Sequence, residues 1–161
     1  MNGVHIDETC NTCLSNIGKY EGETATNGRI SPGPIIYEGK HWVVEHAYPC
    51  MIKGWLVIPT KRHVTALHEL THEEFEEFGG ILENISKLLY QTLRTEKEYN
   101  VFFGEVPNFN HVHYHLVAKT SELPSEYHGS KIFGLLKQKE NSLPKEEIAS
   151  FCEQLRSKLW L

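Results

Sequence analysis

The stretch NFNHVHYHLV, residues 108–117, is the most informative part of this chain. Successive side chains of a β-strand point to opposite faces. A strand here would therefore place His111, His113 and His115 on one face and the apolar residues between them on the other. A solvent-facing strand has no physical reason to use imidazole three times in five residues. We predict a strand with one functional face and one core face.

Length and charge indicate one domain without a broad basic surface. The chain has 161 residues, enough for one buried core, and a net charge of −5. This charge argues against a nucleic-acid polymer as partner, but it allows small phosphorylated ligands. No run of about 18 apolar residues is present, and the first eight residues lack the features of a signal peptide. We expect a single cytoplasmic domain over residues 1–161 that does not bind a membrane.

Residues 35–58 are predicted to form three short strands. Residues 35–38 and 41–46 flank Gly39-Lys40, which predicts a hairpin. The continuous apolar run at 55–58 predicts a buried strand that ends at Pro59.

A long helix is predicted to begin after Thr71 and to end near Leu93. Thr71 and Glu74 match a capping box, and apolar residues recur at intervals of three and four, so one face should pack on the sheet. Acidic residues in the first turns are predicted to form a solvated face. They are Glu73, Glu74, Glu76 and Glu77.

The remaining elements flank the histidine stretch. Residues 99–106 predict a strand antiparallel to it, joined through a turn at Pro107. The chain after Ser121 reads as irregular, and a terminal helix is predicted near Pro144 with Cys152 on its apolar side.

Cys10 and Cys13 have the two-residue spacing of a metal knuckle. The four cysteines are not expected to form disulfides, because the sequence shows no export signal. A redox-active pair would open a helix within a βαβ pattern, whereas residues 14–33 are rich in Gly, Thr and Asn and read as a loop. Two thiols with no function are the remaining alternative.

Strand geometry argues against a metal ion bound by all three histidines. Residues two apart on one face are separated by about 6.6 Å, so His111 and His115 would start about 13 Å apart. Two ligand atoms of one zinc ion lie no more than about 4 Å apart. We therefore expect Cys10 and Cys13 to share an ion with His111 and a histidine from elsewhere, for which His63 is the best candidate. Such a closed site is structural.

His113 and His115 would then face one cavity together. A neutral imidazole can act as a nucleophile, and a second imidazole can donate a hydrogen bond to an anionic acceptor. Attack on phosphorus would give a covalent phospho-histidine intermediate, which divides a difficult displacement into two steps.

These residues resemble a known family. The run at 111–117 resembles the His-φ-His-φ-His-φφ signature of the histidine-triad (HIT) superfamily of nucleotide hydrolases and transferases, where φ is an apolar residue. Residues 55–67 resemble the strand and loop that lead into the long helix of that family. The resemblance covers about residues 8–120 and leaves 121–161 as a C-terminal extension.

The resemblance implies a fold and a set of site residues. The implied fold is α+β, a five-stranded antiparallel sheet with a long helix packed on it, to which this chain adds a C-terminal helix; such domains commonly form homodimers. His113 would be the nucleophile and His115 would bind phosphate. The zinc-bearing branch, which includes galactose-1-phosphate uridylyltransferase, has a ligand pattern that falls on four residues here. They are Cys10, Cys13, His63 and His111.

The resemblance implies hydrolysis at the α-phosphate of a purine nucleotide conjugate, and we expect a dinucleoside polyphosphate. A Gly-Gln pair that often precedes the triad is missing, so Asn108 or Asn110 is expected to contact phosphate in its place. The Ile-Pro-Arg that often follows the third histidine is Val117-Ala118-Lys119 here, and Lys119 is expected to contact a terminal phosphate.

Three alternatives remain open. A nucleotidyltransferase or phosphorylase would use the same chemistry with another acceptor. A cupin-type metalloenzyme also carries His-x-His on a strand, but the long helix after His63 fits that fold poorly. A zinc-binding interaction domain without turnover is favoured only by the missing Gly-Gln pair.

Overall fold

The computed structural model describes residues 3–136 and 138–159. Both ends of the predicted 1–161 domain lie outside these residues. Three α-helices and five β-strands form the fold. The helices are α1 (Asn11–Asn16), α2 (His72–Leu93) and α3 (Lys145–Arg156), and the strands are β1 (Tyr37–Glu38), β2 (Val43–His46), β3 (Trp55–Pro59), β4 (Lys97–Val101) and β5 (His113–Lys119).

The strands form one antiparallel sheet in the order β1-β2-β3-β5-β4. The buried strand β3 lies at its centre beside β5. The register places Val57 opposite both Glu45 of β2 and His115 of β5, so these three residues form a row on one face of the sheet. This confirms the predicted five-stranded α+β fold.

Helix α2 covers the other face of the sheet. Thr71 caps the helix by accepting a hydrogen bond from the backbone N–H of Glu74, and the reciprocal bond of the capping box is present. The apolar stripe packs on the alternate residues of β3 and β5, as the periodicity predicted. The residues at this contact include Phe78, Ile81, Ile85, Leu89, Leu56, Ile58 and Leu116.

The second helix of this core is α3, which begins after Pro144 as predicted. Its buried residues, Cys152 among them, join the same core. On the histidine face a smaller core forms around Trp55 and Val117, and it is covered by the 3-10 helix Gly129–Leu135. No helix within residues 3–136 and 138–159 is long and apolar enough to cross a membrane.

Three sequence predictions need correction. The strand predicted at 99–106 is β4, which ends at Val101, and the chain beyond it forms an irregular loop to the histidine strand. The segment 14–33, which was predicted to be a loop, instead begins within the short helix α1, which includes Cys13 and ends at Asn16. The histidine strand begins at His113, so His111 lies before it.

The acidic first turns of α2 are not uniformly solvated, contrary to the prediction. Glu74 is buried and pairs with Arg62 at 2.6 Å. Burial raises the pKa of Glu74, but the hydrogen bonds from Arg62 and from the Thr71 N–H, together with the charge of Arg62, outweigh it, so the pKa is below its usual value. Glu77 accepts hydrogen bonds from the backbone N–H groups of His41 and Trp42. Both carboxylates attach the helix to the loops beside the sheet.

Candidate active site and metal centre

His113 and His115 project together from the start of β5. The two residues lie opposite Pro59 and Val57 of β3, and their ring centroids are 5.1 Å apart. They share one face because they are two residues apart in a strand. We call them the histidine pair.

The hydrogen bond of His113 fixes where its ring carries the proton. Nδ1 lies 2.7 Å from the carbonyl oxygen of His111. A carbonyl only accepts, so Nδ1 must carry the hydrogen. In the neutral ring, Nε2 then carries the lone pair, which is the form a nucleophile requires.

His115 has the opposite arrangement. The indole N–H of Trp55 donates to Nδ1 of His115 at 2.9 Å. Indole nitrogen only donates, so Nδ1 of His115 must accept, and the hydrogen of the neutral ring is on Nε2. Trp55 is fully buried in the smaller core, which fixes the direction of this bond. The pair thus offers one lone pair and one N–H donor.

The histidine pair lines a cavity of about 340 Å³. This volume lies in the range of small-molecule sites. The lining is mainly apolar and aromatic, and its apolar residues come from five parts of the chain. The apolar residues are Ile30, Ala47, Val57, Pro59, Phe103, Val106, Phe109, Phe133 and Leu136.

The β4–β5 loop forms one wall of the cavity through Gly104, Glu105, Val106 and Phe109. Gly104 has a φ of +65°, and a Cβ there would lie 2.7 Å from the ring of Phe102. Glycine adopts this conformation without strain and without a contact to that ring, which lets the loop turn back over the cavity.

A buried carboxylate, that of Glu45, also lines the cavity. Glu45 accepts a hydrogen bond from Arg29 at 2.5 Å, and both side chains are largely buried. Burial raises the pKa of Glu45, and Arg29 offsets this only in part. Arg29 also donates to the carbonyl of Ser15, so this ion pair joins β2 to helix α1.

Four ligand-type side chains converge beside the cavity. Cys10, Cys13, His63 and His111 each offer one atom, and these atoms all lie within 4.8 Å of one another. We call this group the metal cluster. The structure therefore brings together the four residues predicted from the sequence, although they come from three separate segments.

The distances fit a tetrahedral ion. Cys13 Sγ lies 3.4 Å from Nδ1 of His63 and 3.5 Å from Nδ1 of His111, and Cys10 Sγ lies 3.6 Å from Nδ1 of His111. Ideal Zn–S and Zn–N bonds at tetrahedral angles separate sulfur from nitrogen by about 3.6 Å. Two thiolates and two imidazoles are also a common donor set of structural zinc. The residues present therefore fit zinc.

Cys10 and Cys13 are in contact, and each thiol shifts the pKa of the other. A contact with Cys13 and a further one with His111 lower the pKa of Cys10, whereas the contact with Cys10 raises the pKa of Cys13. The thiolate is the form that binds metal, so the lowered pKa of Cys10 favours metal binding.

Thr60 holds the ring of His111 on the side opposite the thiols. Its Nε2 lies 2.8 Å from the carbonyl oxygen of Thr60 and 2.9 Å from the hydroxyl of the same residue. The carbonyl requires the hydrogen on Nε2, which leaves Nδ1 with the lone pair that faces the thiols.

The three residues predicted to contact substrate have different positions. Asn108 is exposed with a φ of +63°, and its carbonyl accepts from the backbone of Asn11. Asn110 is exposed on the same loop. Lys119 lies at the far end of β5 and pairs with Glu96. Among the described residues, the cavity lining does not include any of the three.

Two residues of the site were not predicted from the sequence. Trp55 and Glu45 are conspicuous only once the register shows that they share a face with the histidine pair. The alternation of β3 could have placed Trp55 on the same face as Val57, but the direction of its indole N–H depends on packing.

The chain is similar to known proteins in its sequence and in its fold. A family model described as scavenger mRNA decapping enzyme C-term binding matches residues 24–130. The match spans His63, His111 and the histidine pair, and it begins after Cys10 and Cys13. We found no similar sequence among curated proteins.

Solved structures with the same fold include several histidine-triad proteins. One from Bradyrhizobium japonicum has 17% identity and a TM-score of 0.64, with 79% of this chain and 90% of that chain covered. A Zn-bound histidine triad family protein from Mycobacterium smegmatis has 16% identity and a TM-score of 0.55, with 92% and 96% covered. A HIT family protein from Bacillus anthracis has 17% identity and a TM-score of 0.59, with 95% and 99% covered.

Proposed function

We infer the function from the premise that this chain belongs to the scavenger mRNA decapping enzyme C-term binding family, and with it to the histidine-triad superfamily. We propose that it hydrolyses a purine nucleotide conjugate at the α-phosphate through a nucleotidyl-His113 intermediate. A dinucleoside polyphosphate is the first substrate to test. The observation that carries this proposal is the opposite placement of the ring protons in the histidine pair.

In the first step, Nε2 of His113 attacks the α-phosphorus. A nitrogen–phosphorus bond forms as the phosphorus–oxygen bond to the leaving group breaks, and the electron pair of that bond departs with the leaving group. The Nδ1–H bond to the His111 carbonyl stabilises the positive charge that develops on the ring. A polyphosphate leaving group needs little protonation.

His115 stabilises the charge on the phosphoryl group. Its Nε2–H can donate to a non-bridging oxygen, because Trp55 holds Nδ1 as an acceptor. In the second step, water attacks phosphorus, the nitrogen–phosphorus bond breaks, and His113 recovers its lone pair. The proton of the water is lost to solvent, and a nucleoside monophosphate is released.

The lining of the cavity supports a nucleoside with one phosphate near the histidine pair. Aromatic and aliphatic side chains suit a purine ring. Glu45 and Glu105 line the cavity, and among the described lining residues there is neither Lys nor Arg. Further phosphates of a longer conjugate would therefore extend toward solvent. This favours attack at the phosphate nearest the nucleoside.

We propose that the metal cluster binds zinc with a structural role. Cys10, Cys13, His63 and His111 would hold the ion, and a closed four-ligand site leaves no position for substrate. The bound ion would cross-link the N-terminal segment to the part of the chain that leads into β5.

We also propose that the protein is a cytoplasmic homodimer. Light scattering of the purified protein tests the dimer.

The test is a substrate panel with detection of the intermediate. The panel contains diadenosine polyphosphates, adenosine phosphoramidates and sugar nucleotides, each with and without added inorganic phosphate. Wild type should turn over at least one of them, and acid quenching followed by mass spectrometry should find a nucleotidyl adduct on His113. Formation of a nucleoside diphosphate only when phosphate is added would identify a phosphorylase instead.

Two variants complete this test. His113→Ala should lose at least ~1,000-fold in turnover, because the nucleophile is removed. His72→Ala is the matched control, because His72 is exposed at the start of α2 and should behave as wild type. Equal turnover in wild type and His113→Ala would refute the mechanism.

A further inference from the structure

Asp7 links the two halves of the metal cluster. Its Oδ1 accepts hydrogen bonds from the backbone N–H of Thr9 at 2.8 Å and from the Thr9 hydroxyl at 2.7 Å. Its carbonyl accepts from the backbone N–H of Cys10 at 3.1 Å. The other carboxylate oxygen, Oδ2, lies 3.6 Å from Nε2 of His63. One residue thus contacts the turn before Cys10 and also faces a ligand 56 positions later in the sequence.

The orientation of His63 makes this contact significant. Nδ1 of His63 lies 3.4 Å from Cys13 Sγ, so Nε2 is directed away from the cluster and toward Asp7. The backbone N–H of His63 donates to the carbonyl of His5 at 2.7 Å, which holds this loop against the N-terminal segment. When Nδ1 binds a metal, the ring hydrogen is on Nε2, where a carboxylate can accept it.

The Nε2 atoms of the two imidazoles in the cluster therefore have different neighbours. Nε2 of His111 is held by the carbonyl and hydroxyl of Thr60 in a fully buried position. Nε2 of His63 faces the carboxylate of Asp7 at 3.6 Å, and that side chain is 38% exposed. A carboxylate also raises the basicity of the imidazole more than a neutral carbonyl does, which strengthens the metal bond.

We propose that Asp7 is a positioning residue for the metal cluster, and that it increases affinity for zinc by orienting His63 and accepting its Nε2 hydrogen. This inference rests on the proposal that the cluster binds zinc. It does not depend on nucleotide hydrolysis.

The decisive variant is Asp7→Asn. Asparagine keeps an oxygen that can accept both bonds from Thr9, but it replaces Oδ2 with an NH₂ donor that cannot accept from His63. We expect zinc affinity to fall about 10- to 100-fold, measured by competition with a chromogenic chelator in the full-length chain without nucleotide. Glu8→Gln is the matched control, because it removes the same charge one residue away.

Two further measurements separate positioning from a general effect on folding. Thr9→Val removes the hydroxyl bond to Asp7 but keeps the carboxylate, so its zinc affinity should stay within about threefold of wild type. In zinc-loaded wild type, nitrogen–proton correlation spectra should show a slowly exchanging Nε2–H for His63. This last measurement needs no variant.

Three outcomes would overturn the inference. They are an Asp7→Asn affinity equal to that of Glu8→Gln, a loss in Thr9→Val as large as in Asp7→Asn, and an Nε2–H of His63 that exchanges with solvent as fast as an exposed imidazole. Failure of wild type to bind zinc at all would instead refute the metal proposal itself.

Discussion

His111 and His113 are two residues apart, yet their rings are held by opposite nitrogen atoms. His111 is held at Nε2 by Thr60 and presents Nδ1 to the thiols of the metal cluster. His113 is held at Nδ1 by the carbonyl of His111 and carries its lone pair on Nε2 in the cavity. The residue type is the same, so the hydrogen-bond acceptor behind each ring determines which chemistry the other nitrogen can perform.

The two regions are also physically connected. The carbonyl that orients His113 belongs to a ligand of the metal cluster. Thr12, between the two cysteines, lines the cavity, and Asn11 donates to the carbonyl of Asn108 in the loop that covers it. A metal ion in the cluster would therefore hold a wall of the cavity without entering the reaction.

The largest expected effect is loss of metal without loss of the nucleophile. Wild type should contain about one zinc per chain, and Cys10→Ser should contain none, because a serine hydroxyl does not replace a thiolate ligand and only three ligands remain. Metal content is measured by mass spectrometry of the purified chain. Cys152→Ser is the control, because Cys152 lies in the α2 core.

A variant that loses the nucleophile and keeps the metal ligands tests the same separation of the two regions. His113→Ala should keep its zinc while losing turnover. Zinc that persists after replacement of both Cys10 and Cys13 would instead assign the metal to the histidines and favour a metalloenzyme.

The second prediction concerns the donor of the histidine pair. His115→Ala should lower kcat about 100- to 1,000-fold, because it removes the N–H that faces the phosphoryl oxygens. The nucleotidyl-His113 adduct should still form, but slowly, in a rapid-quench experiment. An adduct that forms at the wild-type rate would remove His115 from the chemical step.

His46 on β2 lies outside both regions and tests the effect of burial alone on the pKa of a histidine. His46 is 1% exposed, donates from Nδ1 to the Ala47 carbonyl and accepts at Nε2 from the N–H of Gly54. Burial lowers the pKa of His46 from 6.5 to about 4. The unfolded chain therefore binds an extra proton between these values, and the free energy of unfolding should decrease by about 3 kcal/mol as pH falls from 6.5 to 4.

Urea unfolding at a series of pH values measures this term. His46→Gln lacks the titrating ring, so its free energy of unfolding should change less with pH over that window, although it is less stable at neutral pH. Equal slopes in both proteins would show that His46 does not remain neutral in the folded state.

The smallest expected change in activity comes from a variant that alters only the tautomer of His115. Trp55→Phe keeps an aromatic ring but removes the indole N–H that holds Nδ1 as an acceptor. We expect kcat/KM to fall about 10-fold, because the neutral ring can then also place its hydrogen on Nδ1 and lose the Nε2–H donor. The loss should be smaller at acidic pH, where the imidazolium carries both hydrogens. The pH dependence of kcat/KM provides the measurement.

Trp42→Phe is the matched control for that variant. Trp42 is equally buried, and its indole donates to the carbonyl of Glu74 on the α2 side of the sheet. It should lose stability without a change in the shape of the pH profile. Identical profiles for the two variants would contradict the role of Trp55.

Local patterns predicted most of the fold. The capping box at Thr71 and the apolar period after it depend on neighbours within one or two turns, and both were correct. The end of β4 and the helix α1 were missed because β-prone residues such as Phe102 and Phe103 belong to a loop that covers the cavity, and because a six-residue helix has little periodicity. Glu74 was predicted to be solvated because its partner Arg62 is twelve residues away.

The sequence by itself determined that three histidines alternate with apolar residues and that two cysteines have the spacing of a knuckle. It also argued against one ion shared by the whole triplet, because residues two apart on one face of a regular strand are separated by about 6.6 Å. Only the tertiary structure decided which nitrogen of each ring is held and which carries the lone pair. That choice depends on Thr60, Trp55 and the carbonyl of His111, which are brought to these rings by strand register and by the loop before β5.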